Sequence, residues 1–241
     1  MLGDFSKLPD SIGNLTALER LDLNNNQLSS LPESISNLKS LTTLNLNTNK
    51  FSNLPKSIGT LTELQKLDLG ANKLKLLPET IGNLTSLTYL DVSYNNITAL
   101  PESLGNLHSL ESLYIRDNKL TSLPESIGNL SSLQKLSVWG NNLTSLPESI
   151  GNLQSLTALD LNNNRLTALP ESIGNLSSLK DLYLYNNQLR TLPDSITDLT
   201  SLHSINIISN KFSSLLEPIK ILENRGVQLG KFIGSNSRTT L

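Results

Sequence analysis

The sequence predicts an α/β solenoid, a coil in which every turn adds one short parallel strand and one short helical or 3-10 turn. Three observations carry that expectation. Leu-Pro pairs begin at Leu8, Leu31, Leu54, Leu77, Leu100, Leu123, Leu146, Leu169 and Leu192, a constant period of 23 residues with no insertion or deletion. Each unit then alternates leucines in the manner of a strand, as at Leu110, Leu113 and Ile115, or at Leu156, Leu159 and Leu161. An asparagine returns at one slot of every unit: Asn26, Asn49, Asn72, Asn95, Asn118, Asn141, Asn164, Asn187 and Asn210.

The elements follow in chain order. Residues 1–7 read as the tail of an earlier unit, because Phe5-Ser6-Lys7-Leu8-Pro9 matches Phe51-Ser52-Asn53-Leu54-Pro55. Nine units then occupy residues 8–214. In the segment Pro-Glu-Ser-Ile-Gly-Asn-Leu, proline suits the first position of a helical turn. Ile127 and Leu130, three apart, then share its inner side. In the strand, Leu113 and Ile115 point inward while Tyr114 and Arg116 point outward. The asparagine sits where the chain turns away from the strand, and its amide can satisfy backbone groups left unpaired there. One unit cannot bury its own apolar edge, so stacked neighbours must do it.

The two ends depart from the repeat. No cap precedes the first unit, so its apolar edge calls for upstream residues or for another chain. After Phe212 the pattern fails, and residues 215–233 read as a capping element. It comprises an amphipathic helix from Glu217 to Asn224, a stop at Gly226, and a last strand at Val227-Gln228-Leu229. Phe232 and Ile233 are expected to cover the final coil, and residues 234–241 to form a loose tail.

These residues resemble the leucine-rich repeat family, whose hallmark is L-x-x-L-x-L-x-x-N-x-L. The short unit with L-P-x-x-I-G-N-L is similar to bacterial proteins of the leptospiral kind and to the Ras-group repeats of eukaryotes. The resemblance implies a right-handed horseshoe with a concave parallel sheet. It also implies a protein partner, and a secreted or cell-surface setting in a bacterium ahead of the cytoplasm.

Composition narrows the function classes. Nineteen basic residues against 21 acidic ones, a net charge of −2, leave no electrostatic footprint for nucleic acid. No apolar run reaches the length of a membrane span. The absence of cysteine excludes thiolate catalysis, disulfides and cysteine zinc sites from this sequence, including the cysteine chemistry of bacterial leucine-rich repeat ubiquitin ligases. His108 and His203 lie far apart in repeat order and read as solvated surface residues. No phosphate loop, metal-ligand cluster or nucleophile motif is present, so no cofactor is expected and the chain is not expected to be an enzyme.

The outward strand positions form columns across the sheet. The central column runs Asp22, Asn45, Asp68, Asp91, Tyr114, Ser137, Asp160, Tyr183, Asn206. The next runs Asn24, Asn47, Gly70, Ser93, Arg116, Trp139, Asn162, Tyr185, Ile208, with Tyr89 and Tyr94 beside them. All five tyrosines and the single tryptophan therefore fall on or beside this face, in units four, five, six and eight. The phenylalanines fall elsewhere, with Phe5, Phe51 and Phe212 in buried repeat slots. Strand propensity explains why aromatics sit on strands, but not why units one to three hold none. Tyrosine, tryptophan and arginine dominate binding hot spots. The candidate protein-binding residues are Tyr89, Asp91, Tyr94, Tyr114, Arg116, Trp139, Asp160, Tyr183 and Tyr185.

Two charged features read differently. The stripe Asp10, Glu33, Glu79, Glu102, Glu125, Glu148, Glu171, Asp194, interrupted by Lys56, places a carboxylate in the first turn of eight of the nine helical segments, where the dipole favours it. Asp68 and Asp91 occupy neighbouring rungs, yet calcium needs about six to eight oxygens and nothing gathers them. The sequence thus leads to a non-catalytic module that holds a protein partner on its concave face. The alternative is a repeat segment that forms a homodimer through its uncapped N-terminal end.

Overall fold

A computed structural model describes residues 5–212 and 217–230. Nine three-residue strands recur at the predicted spacing: β1 (Arg20–Asp22), β2 (Thr43–Asn45), β3 (Lys66–Asp68), β4 (Tyr89–Asp91), β5 (Ser112–Tyr114), β6 (Lys135–Ser137), β7 (Ala158–Asp160), β8 (Asp181–Tyr183) and β9 (Ser204–Asn206). With β10 (Gln228–Leu229) they form one ten-stranded sheet whose spatial order is the chain order. Every pairing is parallel; from β1 to β9 each residue meets the one 23 positions away, as in Leu90↔Leu113 and Leu113↔Leu136, and β10 joins β9 with a step of 24, as in Leu229↔Ile205.

The central leucine of each strand points inward, and from β2 to β8 it is buried. Across from it, each unit places one 3-10 turn of five residues, such as Glu125–Asn129 or Glu148–Asn152. The turn is 3-10 and not α because only five residues are available, and the i→i+3 bond closes within them. Ile127 N–H donates to the Pro124 carbonyl at 3.1 Å, and Leu130 N–H to the Ile127 carbonyl at 3.2 Å. The proline sits one place earlier than expected. Pro124 is the N-cap, in extended conformation at φ −69° and ψ 151°, and Glu125 opens the turn. The locked proline φ fits that extended residue equally well.

The asparagine column knits the turns together. Asn72 Nδ2 donates to the carbonyls of Leu46, Leu69 and Gly70 at 3.0, 3.1 and 3.1 Å, while its Oδ1 accepts the Phe51 N–H at 3.0 Å. One side chain therefore joins two coils and satisfies four backbone groups in a region closed to water.

The ends differ from the middle. Phe51 is fully buried in its slot, but Phe5 is 65% exposed and Phe212 only partly buried, so two of the three expected buried phenylalanines are corrected. Phe5 lies at the outer face of the first coil, where stacking does not enclose it. Ile12, Leu18, Leu21 and Leu23 are likewise only partly buried, whereas Leu41, Leu44 and Leu46 one unit later are fully so. At the other end, α1 (Glu217–Asn224) buries Ile219 and Leu222. Gly226 follows at φ +82°, and Arg225 donates to the carbonyls of Thr197 and Leu199. The expectations for Phe232, Ile233 and the tail at 234–241 lie outside the described residues.

Candidate functional site

The parallel register converts spacing of 23 residues into side-by-side contact on the open face of the sheet. Asp91 stands beside Tyr114, Tyr114 beside Ser137, Ser137 beside Asp160, and Asp160 beside Tyr183. Tyr89, at the start of β4, reaches across to Tyr114 with ring centroids 5.6 Å apart and planes tilted by 51°. Such a tilted pair contributes beyond its burial. The Arg116 guanidinium lies over the same Tyr114 ring, 5.0 Å from its centroid.

Arg116 is held from two sides. Its Nε donates to Ser137 Oγ at 2.8 Å, and Ser137 in turn donates to Asp160 Oδ2 at 3.0 Å. Its backbone N–H donates to Ser93 Oγ at 3.1 Å, while the Ser93 N–H donates to Asp91 Oδ1 at 2.8 Å. Tyr89 closes the chain, its hydroxyl 3.4 Å from Asp91 Oδ2. The result is a connected network from β4 to β7 that fixes the rotamers of Tyr89, Arg116 and Asp160 before any partner arrives.

Burial decides the electrostatics. Desolvation raises the Asp91 carboxyl above the usual range, although its Ser93 bonds and Arg116 pull it down. Desolvation likewise raises Asp160 against the opposing bonds from Asn162 and Ser137. Burial, then the charges of Asp91 and Asp68, push the Tyr89 hydroxyl far above its ordinary value, so it stays a neutral donor. Burial and the nearby Asp181 raise Tyr183. The only ion pair among the described residues is Lys220–Glu217 at 2.8 Å on α1, so none of these carboxylates has a cation in contact.

The remaining candidates lie around this network. Trp139 and Tyr185 follow strands β6 and β8 in the neighbouring column, both partly buried. Tyr94 stands apart: it is 58% exposed and its backbone is left-handed, with φ +56°. Its slot is left-handed in every unit, occupied by residues such as Asn25, Asp117 and Asn163, and by Gly140. A tyrosine there carries backbone strain that asparagine or glycine would avoid.

Three further residues of the same columns belong to this surface beyond the expected binding residues. Ser93 and Ser137 are nearly buried, at 3% exposure each, and they connect Arg116 to both carboxylates. Ile208, 47% exposed in the same column as Tyr185, extends the apolar end. The available signal was the small hydroxyl residue at one outward rung beside a long arginine on the next.

Among the described residues, no group of three or more histidine, aspartate or glutamate side chains could hold a metal. Neither is any described helix long and apolar enough to cross a membrane.

A stack of uniform coils with one open sheet face defines a solenoid of the leucine-rich class. A family model described as a leucine-rich repeat region matches residues 2–75, 67–142 and 136–224. The chain belongs to the leucine-rich repeat family. Among solved structures it is similar to a leucine-rich repeat protein of Leptospira interrogans, with 38% identity and a TM-score of 0.78 over 95% of this chain and 64% of that one. It is also similar to the ectodomain of the membrane receptor kinase GASSHO1 of Arabidopsis thaliana, in complex with Casparian strip integrity factor 2. That match has 31% identity and a TM-score of 0.73, covering 95% of this chain and 32% of the receptor. A third likeness is to the plant peptide hormone receptor RGFR1 in complex with RGF2, at 29% identity and a TM-score of 0.60, covering 95% and 46%. The chain spans less than two thirds of the length of each of these proteins. No curated protein matches its sequence.

Proposed function

We propose that this chain is a non-catalytic module that holds a segment of a partner protein against the open face of its sheet. One observation carries the reading: Tyr89, Tyr114, Trp139, Tyr183 and Tyr185 lie on or just after strands β4 to β8 of that face, with among them an arginine held from two sides. Aromatic rings and a stacked guanidinium supply contact area at small entropic cost, the usual make-up of a binding hot spot. The peptide complexes of the plant receptors, built on the same fold, support it. The proposed partner is one met outside the cell, such as a host protein or a surface component.

The test compares the unaltered chain with a variant carrying Tyr114→Ser, Trp139→Ser and Tyr183→Ser in proteomic capture of partners. The variant is expected to keep its far-UV spectrum and lose the captured proteins. Unchanged capture would refute the reading.

The exposed first coil favours a second activity, self-association. Among the described residues β1 is an edge strand; its Leu21 and the nearby Leu18 and Leu23 remain partly open, and Leu15 and Phe5 of the same coil are 51% and 65% exposed. Two copies joined antiparallel about Leu21 would set Arg20 of each opposite Asp22 of the other, a self-complementary pairing.

A further inference from the structure

The partner's chemistry can be taken further, on the reading of the open face as a protein-binding surface. The central column contains four carboxylates, Asp22, Asp68, Asp91 and Asp160, and no cation in any unit. Asp91 and Asp160 bracket the aromatic stretch. Each uses its oxygens only for neutral donors: Ser93 N–H and Tyr89 for Asp91, Asn162 N–H and Ser137 for Asp160. A carboxylate oxygen has two lone-pair sites, so both groups retain outward acceptor capacity. Burial without a cationic contact holds both carboxyls above their ordinary range, and an incoming cation would relieve that cost.

The rungs fix the spacing. Asp91 ends β4 and Asp160 ends β7, three rungs apart, which is about 14 Å at the usual strand separation. An extended chain laid across the strands advances about 3.4 Å per residue and shows every second side chain to the same face. Side chains i and i+4 of such a chain therefore match the two carboxylates in distance and in direction. Side chain i+2 falls between Tyr114 and Ser137, beside the Arg116 guanidinium, where a third cation is repelled.

We propose that the open face accepts an extended partner segment carrying two cationic side chains four residues apart, one over Asp91 beside the Tyr89–Tyr114 pair and one over Asp160. The aromatic rings near Asp91 add a cation–π contribution to the first of them. The second sits between Ser137 and Tyr183, its rung neighbours.

The probe is a set of acetylated, amidated, fluorescently labelled nonapeptides on a threonine and valine background. One has lysines four apart; others have them two or three apart, a third lysine midway, or glutamates in place of lysines. Anisotropy titration should rank the four-apart peptide tightest, by about tenfold over the other spacings and the midway-lysine form, as expected for register set by charge. Asp91→Asn and Asp160→Asn should each weaken it about fivefold, and raised salt should weaken it further. Equal binding at all spacings, tighter binding of the glutamate peptide, or no binding by any lysine peptide overturns the proposal. The two readings separate in the capture experiment. Partners lost on replacing Tyr114, Trp139 and Tyr183 but retained by Asp91→Asn/Asp160→Asn would sink this inference and leave the protein-binding reading intact.

Discussion

Asp160 accepts two hydrogen bonds, from the Asn162 N–H at 3.2 Å and the Ser137 hydroxyl at 3.0 Å, and yet its carboxyl titrates above its ordinary value of 3.8. The cause is that desolvation outweighs both bonds and the attraction of Arg116. The sign of the consequence follows from linkage. A carboxyl whose folded value exceeds its unfolded value binds more protons folded than unfolded between the two. Stability is therefore lost as pH rises from about 4 through the raised folded value, and the loss is complete above it. Asp160→Asn removes that loss while leaving an acceptor for one of the two donors. The variant should melt higher than the unaltered chain at pH 7 and show little gain at pH 3, as followed by circular dichroism. A gain as large at pH 3 would mean that packing, and not ionisation, was changed. Tyr94, strained at φ +56° and 58% exposed, points the same way: this face keeps residues that cost stability.

At the scale of the element, the 3-10 turns are set by how closely coils approach. A Cβ added to Gly128 would lie 2.4 Å from the Ser149 carbonyl oxygen and 2.7 Å from the Ser149 Cβ. Unit two shows what happens otherwise: Ser36 occupies the glycine slot, and the turns Glu33–Asn37 and Lys56–Thr60 make the loosest such junction. Gly128→Ala should cost about 2 kcal/mol, the usual penalty of overpacking. Ser149→Gly should not rescue it, because the obstructing oxygen belongs to the backbone. Ser149→Ala alone should cost nothing, since the Ser149 hydroxyl is buried with no hydrogen-bond partner. Urea titrations of the three variants check all of this, and a rescue by Ser149→Gly would show that the side chains were the clash. The sequence already told where these turns lie, because the 23-residue step repeats without error. It did not show their type, since five residues cannot express a helical period. Nor did it show that Pro124 precedes the turn. The candidate face was legible as columns, and the structure places Tyr89, Asp91, Tyr114, Arg116 and Asp160 in one network. The connections through Ser93 and Ser137 were not legible, because Arg116 and Ser137 are 21 residues apart and meet only across a rung. The one signal was positional, a small hydroxyl residue on the rung beside Arg116.

For the whole molecule, the two ends of the sheet impose different conditions on assembly. α1 buries Ile219 and Leu222 and β10 extends the sheet, so the last coil is covered there, although Ile208 and Ile221 stay exposed. Among the described residues, the β1 end presents an unpaired strand over half-open leucines, and unpaired edges invite another chain. If that edge recruits a second copy about Leu21, the mass from sedimentation equilibrium should rise above 26.3 kDa with concentration. Because Arg20 would then oppose Asp22 of the second copy, Arg20→Asp places carboxylates opposite each other and should keep the chain monomeric. Adding Asp22→Arg to Arg20→Asp reverses both signs and should restore the dimer, an outcome that general loss of hydrophobic contact does not produce. Leu21→Ser should weaken association without a charge effect. A mass of 26.3 kDa at every concentration removes the dimer. Association indifferent to the charge swap assigns it to the exposed Phe5 and Leu15 and away from the strand. Neither result bears on Tyr114 or Arg116, which lie four rungs from β1 and are separated from it by β2, β3 and β4. Nearest-neighbour coupling in a solenoid decays over such a distance, so partner capture and self-association should vary independently.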